Sequence, residues 1–292
     1  MQFKRIFLTL FLAVGISACG SLGTSSTPTP SEPTPTLAPP TPTPPPSAAA
    51  VNGEYITITE FQAELERYKA AQTALGLSFT DEDANKVVLE DMIAQVLLSQ
   101  AARAENFEVT DADLQSRIDA LVSQLGSADA LIQWQSAHGY DDASFRLALK
   151  RSIEAAWMRD KIVAAVPTSA EQIHLRQILT YNEADAQSAL AELNAGIDFD
   201  ELAAQYDPVT AGELGWVPQG YLLDPKADEA VFALQTGQVS GIISTDAGFH
   251  IFKAIERGDH ALSPDALLAM QEHALQNWVA DQRAKSEIVI AP

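Results

Sequence analysis

The sequence has few of the residues on which several classes of protein depend. It contains one cysteine among 292 residues, which excludes a disulfide within the chain. It has 18 lysine and arginine residues against 39 aspartate and glutamate residues, a formal net charge of −21. Such an acidic surface repels nucleic acid and favours solubility, so nucleic acid is not expected as a partner. The five histidines are scattered without metal-ligand spacing, and we expect neither a metal site nor a cofactor.

Long apolar runs are also scarce, and the one at the start of the chain spans residues 6–16. It follows Lys4 and Arg5 and is shorter than the roughly 20 residues that span a bilayer, which is typical of a signal peptide, here 1–18. Residues 16–19, Ile-Ser-Ala-Cys, resemble the lipobox of bacterial lipoproteins. The resemblance implies a lipid on Cys19 and an exported protein on the outer face of the cell membrane, or the periplasmic side where there are two membranes. An ordinary signal peptide with an incidental cysteine is the alternative.

A segment rich in Thr, Pro and Ser follows, and we assign residues 19–50 to the lipidated cysteine and a linker. Frequent proline favours polyproline II and opposes helix and sheet ladders, so the segment has no core of its own. It would hold the folded part of the chain away from the bilayer. A linker without a tuned length is the alternative.

Residues 51–167 have the periodicity of a helical domain. Thr59 opens the first apolar run. The pattern predicts later helix starts at the capping residues Thr80, Thr110, Ser127 and Asp141 or Asp142, with Gly126 ending the third helix and Pro167 closing the region.

Residues 168–258 have the pattern of a mixed α+β unit, and residues 259–292 that of a closing helix and tail. The closing helix starts at Ser263-Pro264, with serine as cap and proline in its first turn. The predicted strands are 173–181, 239–244, 249–255 and a short one at 288–290, and the predicted helices of the mixed unit are 182–194 and 198–206.

Five stretches of this unit resemble the parvulin family of peptidyl-prolyl cis-trans isomerases. They are RQILT (176–180), AGIDFDELAAQY (195–206), GELGW (212–216), EAVFALQTGQVSGII (229–243) and GFHIFKAIERG (248–258). The resemblance implies a small antiparallel sheet wrapped by helices. The glycines of GELGW stand where the chain must turn tightly beside the site.

The flanks resemble exported foldases of the PrsA and SurA type, beginning with VNGEYITITEF (51–61). This implies an α+β architecture: a SurA-N-like helical chaperone domain, completed by the C-terminal helix, with the parvulin domain inserted between them. In that arrangement four residues of the last helix pack on the helical domain, namely Leu267, Met270, Leu275 and Trp278. A plain helical bundle without a client role is the alternative.

The parvulin resemblance also implies the catalytic residues. His250 matches the second of two histidines, and Thr245 the hydroxyl that would hold its imidazole in one tautomer. Gln177 stands where the family has its first histidine, and Asp207 is the acid that could match the Cys or Asp position. His174 should point to the opposite face of its strand from Gln177, so it cannot substitute. A buried core histidine is the alternative for His250.

Four residues match apolar substrate-binding positions: Leu223, Ala227, Phe232 and Phe249. Ala227 stands where the family has phenylalanine, and the two phenylalanines are equally consistent with core positions. Together with Gln177, Ala227 indicates an eroded site in which isomerase activity is weak or absent.

The sequence therefore predicts an extracytoplasmic folding factor that binds unfolded exported polypeptides and touches the membrane through its lipid only. It leaves open whether the protein isomerises prolyl bonds or only holds clients, and what its oligomeric state is. A solute-binding lipoprotein of a transporter is the alternative from another class, and it predicts two similar α/β lobes.

Overall fold

The structure is a computed structural model that describes residues 45–291. The predicted signal peptide, the lipidation site at Cys19 and the predicted linker as far as residue 44 lie outside these residues. In the part of the chain that is described, no helix has both the length and the apolar character needed to cross a membrane.

The first half of the described chain consists of two short strands followed by helices. In order these are β1 (Ser47–Val51), β2 (Glu54–Thr57), α1 (Ile58–Ala74), α2 (Asp81–Ala104), α3 (Asp111–Leu125), α4 (Ala128–Ala137) and α5 (Asp142–Ala164).

The helix ends follow the capping pattern. Thr80, Thr110, Ser127 and Asp141 each accept a hydrogen bond from a backbone N–H in the first turn of the helix that follows, as predicted. Gly126 ends α3 in the left-handed conformation, also as predicted. Thr59 lies in the first turn of α1 as predicted, although the helix begins one residue earlier, at Ile58, with Thr57 as its cap.

The predicted linker, residues 19–50, is too long, because its last four residues, 47–50, belong to strand β1. It pairs antiparallel with β2 and with the C-terminal strand β7 (Ile288–Ile290), in the order β2-β1-β7. Ala49, Val51 and Ile56 of this sheet pack against α2. The pairing of β1 on both sides, rather than its Ala-rich sequence, decides that this segment is a strand.

The second half contains a four-stranded antiparallel sheet in the order β4-β3-β6-β5. Its elements are β3 (Ser169–Thr180), α6 (Glu183–Asn194), α7 (Phe199–Tyr206), β4 (Glu213–Pro218), α8 (Pro225–Phe232), β5 (Ile243–Thr245) and β6 (Gly248–Ala261), and α9 (Pro264–Lys285) follows. One face of the sheet packs on α8 through a cluster that includes Leu175 and Phe252, and the other packs on α6 and α7 through Ile178 and Ile251.

The strand predicted over 239–244 is wrong for most of its length, since only Ile243 and Ser244 of it lie in β5. Val239 forms an isolated bridge with Lys253. At Ser240 the backbone N–H donates to the carbonyl of Phe252, and the Ser240 hydroxyl accepts from the Phe252 N–H. A side chain thus takes the place of a backbone acceptor, which interrupts the ladder. Strand β6 is longer than predicted and runs past residue 258, the predicted end of the parvulin domain.

Helix α9 returns to the helical half, which confirms the predicted architecture. Ser263 caps it and Pro264 occupies its first turn. Leu275 and Trp278 pack on a cluster of α2 and α5 residues that includes Leu98, as predicted. Met270 instead lies beside Gly220, in the segment after β4, because that side of α9 faces the sheet unit.

Candidate active site

Two neighbouring strands place the candidate site on the face of the sheet that packs on α8. His250 and Phe252 alternate with Ile251 along β6, so they share one face, and Gln177 of β3 lies opposite Phe252. The Gln177 Oε1 atom is 2.9 Å from His250 Nδ1, and Thr245 Oγ1 is 2.9 Å from His250 Nε2. The structure therefore brings together three of the four residues predicted as catalytic.

The imidazole of His250 is mostly buried, with 9% of the residue exposed. Burial lowers the pKa of His250, and the negative charge of Asp224 opposes this only in part. The ring is therefore neutral at neutral pH, and each nitrogen has a partner. Since a Gln177 Oε1 acceptor requires Nδ1–H, the network assigns Nε2 as the acceptor from the Thr245 hydroxyl.

Gly212 holds the adjoining loop against Gln177, as the turn role predicted for GELGW requires. The Gln177 N–H donates to the Gly212 carbonyl at 2.8 Å. Gly212 has a φ of +72°, and a Cβ at this position would lie 1.9 Å from the carbonyl oxygen of Gln177. Only glycine permits this approach of the two backbones.

The structure does not bring Asp207, the fourth predicted catalytic residue, to the imidazole. Its carboxylate accepts hydrogen bonds from the backbone N–H groups of Val209 and Thr210 and from the Thr210 hydroxyl. The hydroxyl and then the backbone donors lower the pKa of Asp207. These contacts lie inside its own turn, because the chain reverses directly after α7 and the carboxylate closes that reversal.

None of the four predicted substrate-binding residues lines a groove at His250. Leu223 is fully solvent-exposed, whereas its neighbour Leu222 packs against the core. Phe232 packs on the same core beneath the Arg257 guanidinium, which lies 5.8 Å from its ring. Phe249 precedes His250 in β6 and so points to the opposite face of the sheet.

The fourth, Ala227, is 4% exposed and lies in the core cluster with Ile173, Val217 and Phe252. A phenylalanine there would have to displace these neighbours, which identifies Ala227 as a core position of α8.

His174 lies on the opposite face from Gln177, as predicted. Its Nε2 atom is 2.5 Å from Glu213 Oε1, and its ring stacks on Trp216 at a centroid distance of 5.2 Å. The Arg176 side chain donates to the other oxygen of Glu213. This ion cluster takes no part in the His250 network.

Sequence reasoning missed two neighbours of His250. Phe252 stacks on the imidazole at 5.4 Å, with ring planes 6° apart. Asp224 caps α8 by accepting from the backbone N–H groups of Lys226 and Ala227, and its charge acts on His250. The Asp-Pro pair at 224–225 is a helix-start signal that could have located this acid.

Two family models match the chain. Residues 174–256 match the PPIC-type PPIase domain, and residues 42–142 match the SurA-like N-terminal domain. Over 226 residues the chain is 30% identical to the foldase protein PrsA of Caldanaerobacter subterraneus, covering 70% of this chain and 72% of that protein. The chain belongs to the PrsA family of foldases.

Other relatives of this foldase match over smaller parts. PrsA of Geobacillus kaustophilus is 29% identical over 185 residues, which cover 60% of this chain and 64% of that protein, just under two thirds of its length. The chaperone SurA of Thiobacillus denitrificans is 32% identical over 146 residues, 42% of this chain and 33% of that protein. The crystal structure of PrsA from Bacillus cereus has a TM-score of 0.43 at 20% identity, covering 80% of this chain and 85% of that one. The solute-binding alternative finds no support in these matches.

Proposed function

We propose that this foldase binds unfolded exported polypeptides outside the cytoplasm and that its prolyl isomerase activity is weak. The PrsA and SurA relatives, a foldase and a chaperone by name, support the first part. The second part rests on one observation. Gln177, at the position where parvulins have histidine, occupies one ring nitrogen of His250, and Thr245 occupies the other.

Prolyl isomerisation requires an apolar pocket for the proline ring. It also requires polar groups that favour the twisted amide, in which conjugation is lost. The neutral imidazole of His250 has both nitrogens engaged, so it has no free group to offer the twisted amide. Glutamine forms hydrogen bonds but does not exchange a proton. Leu223 lines a cavity of about 660 Å³ that includes Phe232 but not His250, and Ala227 is part of the core, so neither forms an apolar pocket beside His250.

We also propose that a lipid on Cys19 anchors the protein and that the Pro-rich segment spaces the folded part from the membrane. We further propose that the helical domain ends at residue 167 and that the parvulin-like domain ends at Ala261, the end of β6, instead of at residue 258. A Cys19→Ala variant should leave the membrane fraction of the producing cells for the soluble one. An unchanged distribution would refute the anchor.

The isomerase proposal is tested on residues 19–292 carrying Cys19→Ser, with a prolyl peptide assay that follows cis-to-trans relaxation. Without a catalyst the peptide relaxes from cis to trans over about 10–100 s, and we expect the parent chain to accelerate this only slightly. Gln177→His should accelerate it, because a second titratable ring then faces His250. Gln177→Asn is the matched control and should stay inactive. A parent chain as fast as active parvulins would overturn the proposal.

A further inference from the structure

The helical domain contains a groove of about 600 Å³ that the His250 site does not use. Helices α1, α2 and α5 line it, together with Tyr140 in the turn before α5. Val88, which is buried, and Met92 supply apolar lining from α2. The volume accommodates a few side chains of a polypeptide rather than a folded partner.

The two arginines that line this groove are already paired. Arg67 donates to Glu64 and to the carbonyl of His138, and its guanidinium lies 4.5 Å from the Tyr140 ring centre. Arg151 donates to the carboxylates of Glu54 and Glu60. The groove therefore offers no free cation for an acidic ligand.

Asp91 is a solvent-exposed acid that lines the groove. Its carboxylate has no hydrogen bond or ion pair with any residue in the range 45–291. Partial loss of hydration raises the pKa of Asp91, and the neighbouring charges of Glu64 and Glu90 raise it further. A cation placed at Asp91 would relieve this repulsion.

Apolar surface continues from the groove. Tyr68 and Ala71 line it on α1, and Leu75 follows Ala71 by four residues, hence on the same side of the helix. Leu75 is 72% exposed. An occupant that pairs with Asp91 can therefore place an apolar side chain against the same wall.

We propose that this groove binds segments of unfolded polypeptide in which a lysine or arginine lies next to apolar residues. The cation pairs with Asp91 and lies over the Tyr68 ring, and the apolar neighbours pack on Met92 and Leu75. The inference rests on the proposed client binding and names the class of segment that the helical domain selects. The net charge of −21 steers basic segments to it.

The test is the fluorescence anisotropy of a labelled Gly/Ser peptide that carries one Leu-Arg-Phe sequence, and of its Leu-Gln-Phe counterpart. It uses residues 19–292 with Cys19→Ser. Asp91→Asn should weaken binding of the arginine peptide by about 2- to 5-fold, the range of an exposed ion pair, and should leave the glutamine peptide unaffected. Asp281→Asn is the matched control, an exposed helical acid on α9 that should change neither. Equal losses in both variants, or none in Asp91→Asn, would overturn the proposal.

A second pair of variants tests the groove itself. Ala71→Trp fills it and should weaken both peptides at least about tenfold, whereas Ala74→Trp, at the end of α1 and outside the lining, should not. Both alanines are exposed, so the variants should keep the parent melting temperature. Binding that survives Ala71→Trp refutes the groove.

Suppression of aggregation of an unfolded client, measured on the same samples, separates this inference from the proposed function. Suppression that persists while Asp91→Asn and Ala71→Trp have no effect on peptide binding overturns the groove alone. Peptide binding that depends on Asp91 without any suppression supports the groove and overturns the folding function.

Discussion

The helical part and the sheet part stabilise their buried polar groups in different ways. In the helical part Glu154 is fully buried and accepts hydrogen bonds from Ser99 and Arg103, both at 2.6 Å. Burial works to raise the pKa of Glu54, but Arg151 and Arg103 outweigh it and hold that pKa below its usual value. These ion pairs tie β2 and α1 to α2 and α5.

In the sheet part the network around His250 is neutral, and the buried carboxylate of Asp228 accepts hydrogen bonds from the Gly220 backbone N–H rather than from a cation. Gln177, His250 and Thr245 form one network, and Gln172 donates to two backbone carbonyls at the end of β6. Burial keeps His250 uncharged.

The difference shows how each part is held. A buried ion pair depends on both partners, because removal of one leaves a charge without water or partner. A neutral network loses less when one member is removed, and the backbone approach beside it, at Gly212, becomes the sensitive point.

The largest expected effect breaks the ionic network. Arg151→Ala should reduce the free energy of unfolding by about 3–5 kcal/mol, because Glu54 and Glu60 lose their shared, mostly buried cation. Urea denaturation followed by helical circular dichroism measures it. Arg159→Ala is the control, since its pair with Asp160 is exposed and should be worth less than about 1 kcal/mol. Equal effects would mean that burial does not strengthen the network.

The next effect concerns the sheet part. Gly212→Ala should reduce the free energy of unfolding by about 2–4 kcal/mol, since strain at φ +72° adds to the clash with the Gln177 carbonyl. Gly196→Ala has a similar φ, +96°, but open space around the new Cβ, so it should cost only about 1–2 kcal/mol. Urea denaturation of both variants separates backbone strain from the close approach to the Gln177 carbonyl. An equal loss of stability in both would show that this close approach does not require glycine at position 212.

The smallest effect is the pH dependence. The folded-state pKa of His250 lies below the usual 6.5, so the unfolded chain binds the proton more readily and stability falls as pH drops below about 6.5. Glu54 has a pKa below the usual 4.5, so its contribution is lost only at lower pH. His250→Gln should therefore shrink the stability difference between pH 7.5 and 5.5, and Glu54→Gln should leave that difference unchanged. If Glu54→Gln shrinks the difference and His250→Gln does not, the pH dependence in this range comes from the ionic network and not from His250.

Local chemistry was predictable where one turn decides the outcome. The caps at Thr110, Ser127 and Ser263 depend on a side-chain oxygen and the next three residues, all visible in the sequence. The pairing of His250 with Thr245 followed from the family pattern of β5 and β6. Strand β1 was missed although Asn52-Gly53 signals its hairpin with β2, because its Ala-rich sequence is untypical of a strand. Only its second pairing, with β7 more than 200 residues away, was beyond the reach of local sequence.

The candidate site was predictable only in part. Residue matching identified Gln177, but it named Asp207 as a catalytic acid and Leu223 and Phe249 as substrate-binding residues, and none of these three lies beside His250. Spacing alone does not show that the Asp207 carboxylate closes its own turn. It does not show that Leu222, rather than Leu223, faces the core.

The sequence by itself determined the class of protein, the helix boundaries set by caps, and the glutamine in place of a histidine, because each depends on residue identity or near neighbours. The tertiary structure alone decided which charges are shared and which are not. Arg103 and Arg151 pair with carboxylates of other elements, while Asp91 pairs with none among residues 45–291. The physical reason is that charge compensation depends on distances across the fold, which residue order does not contain.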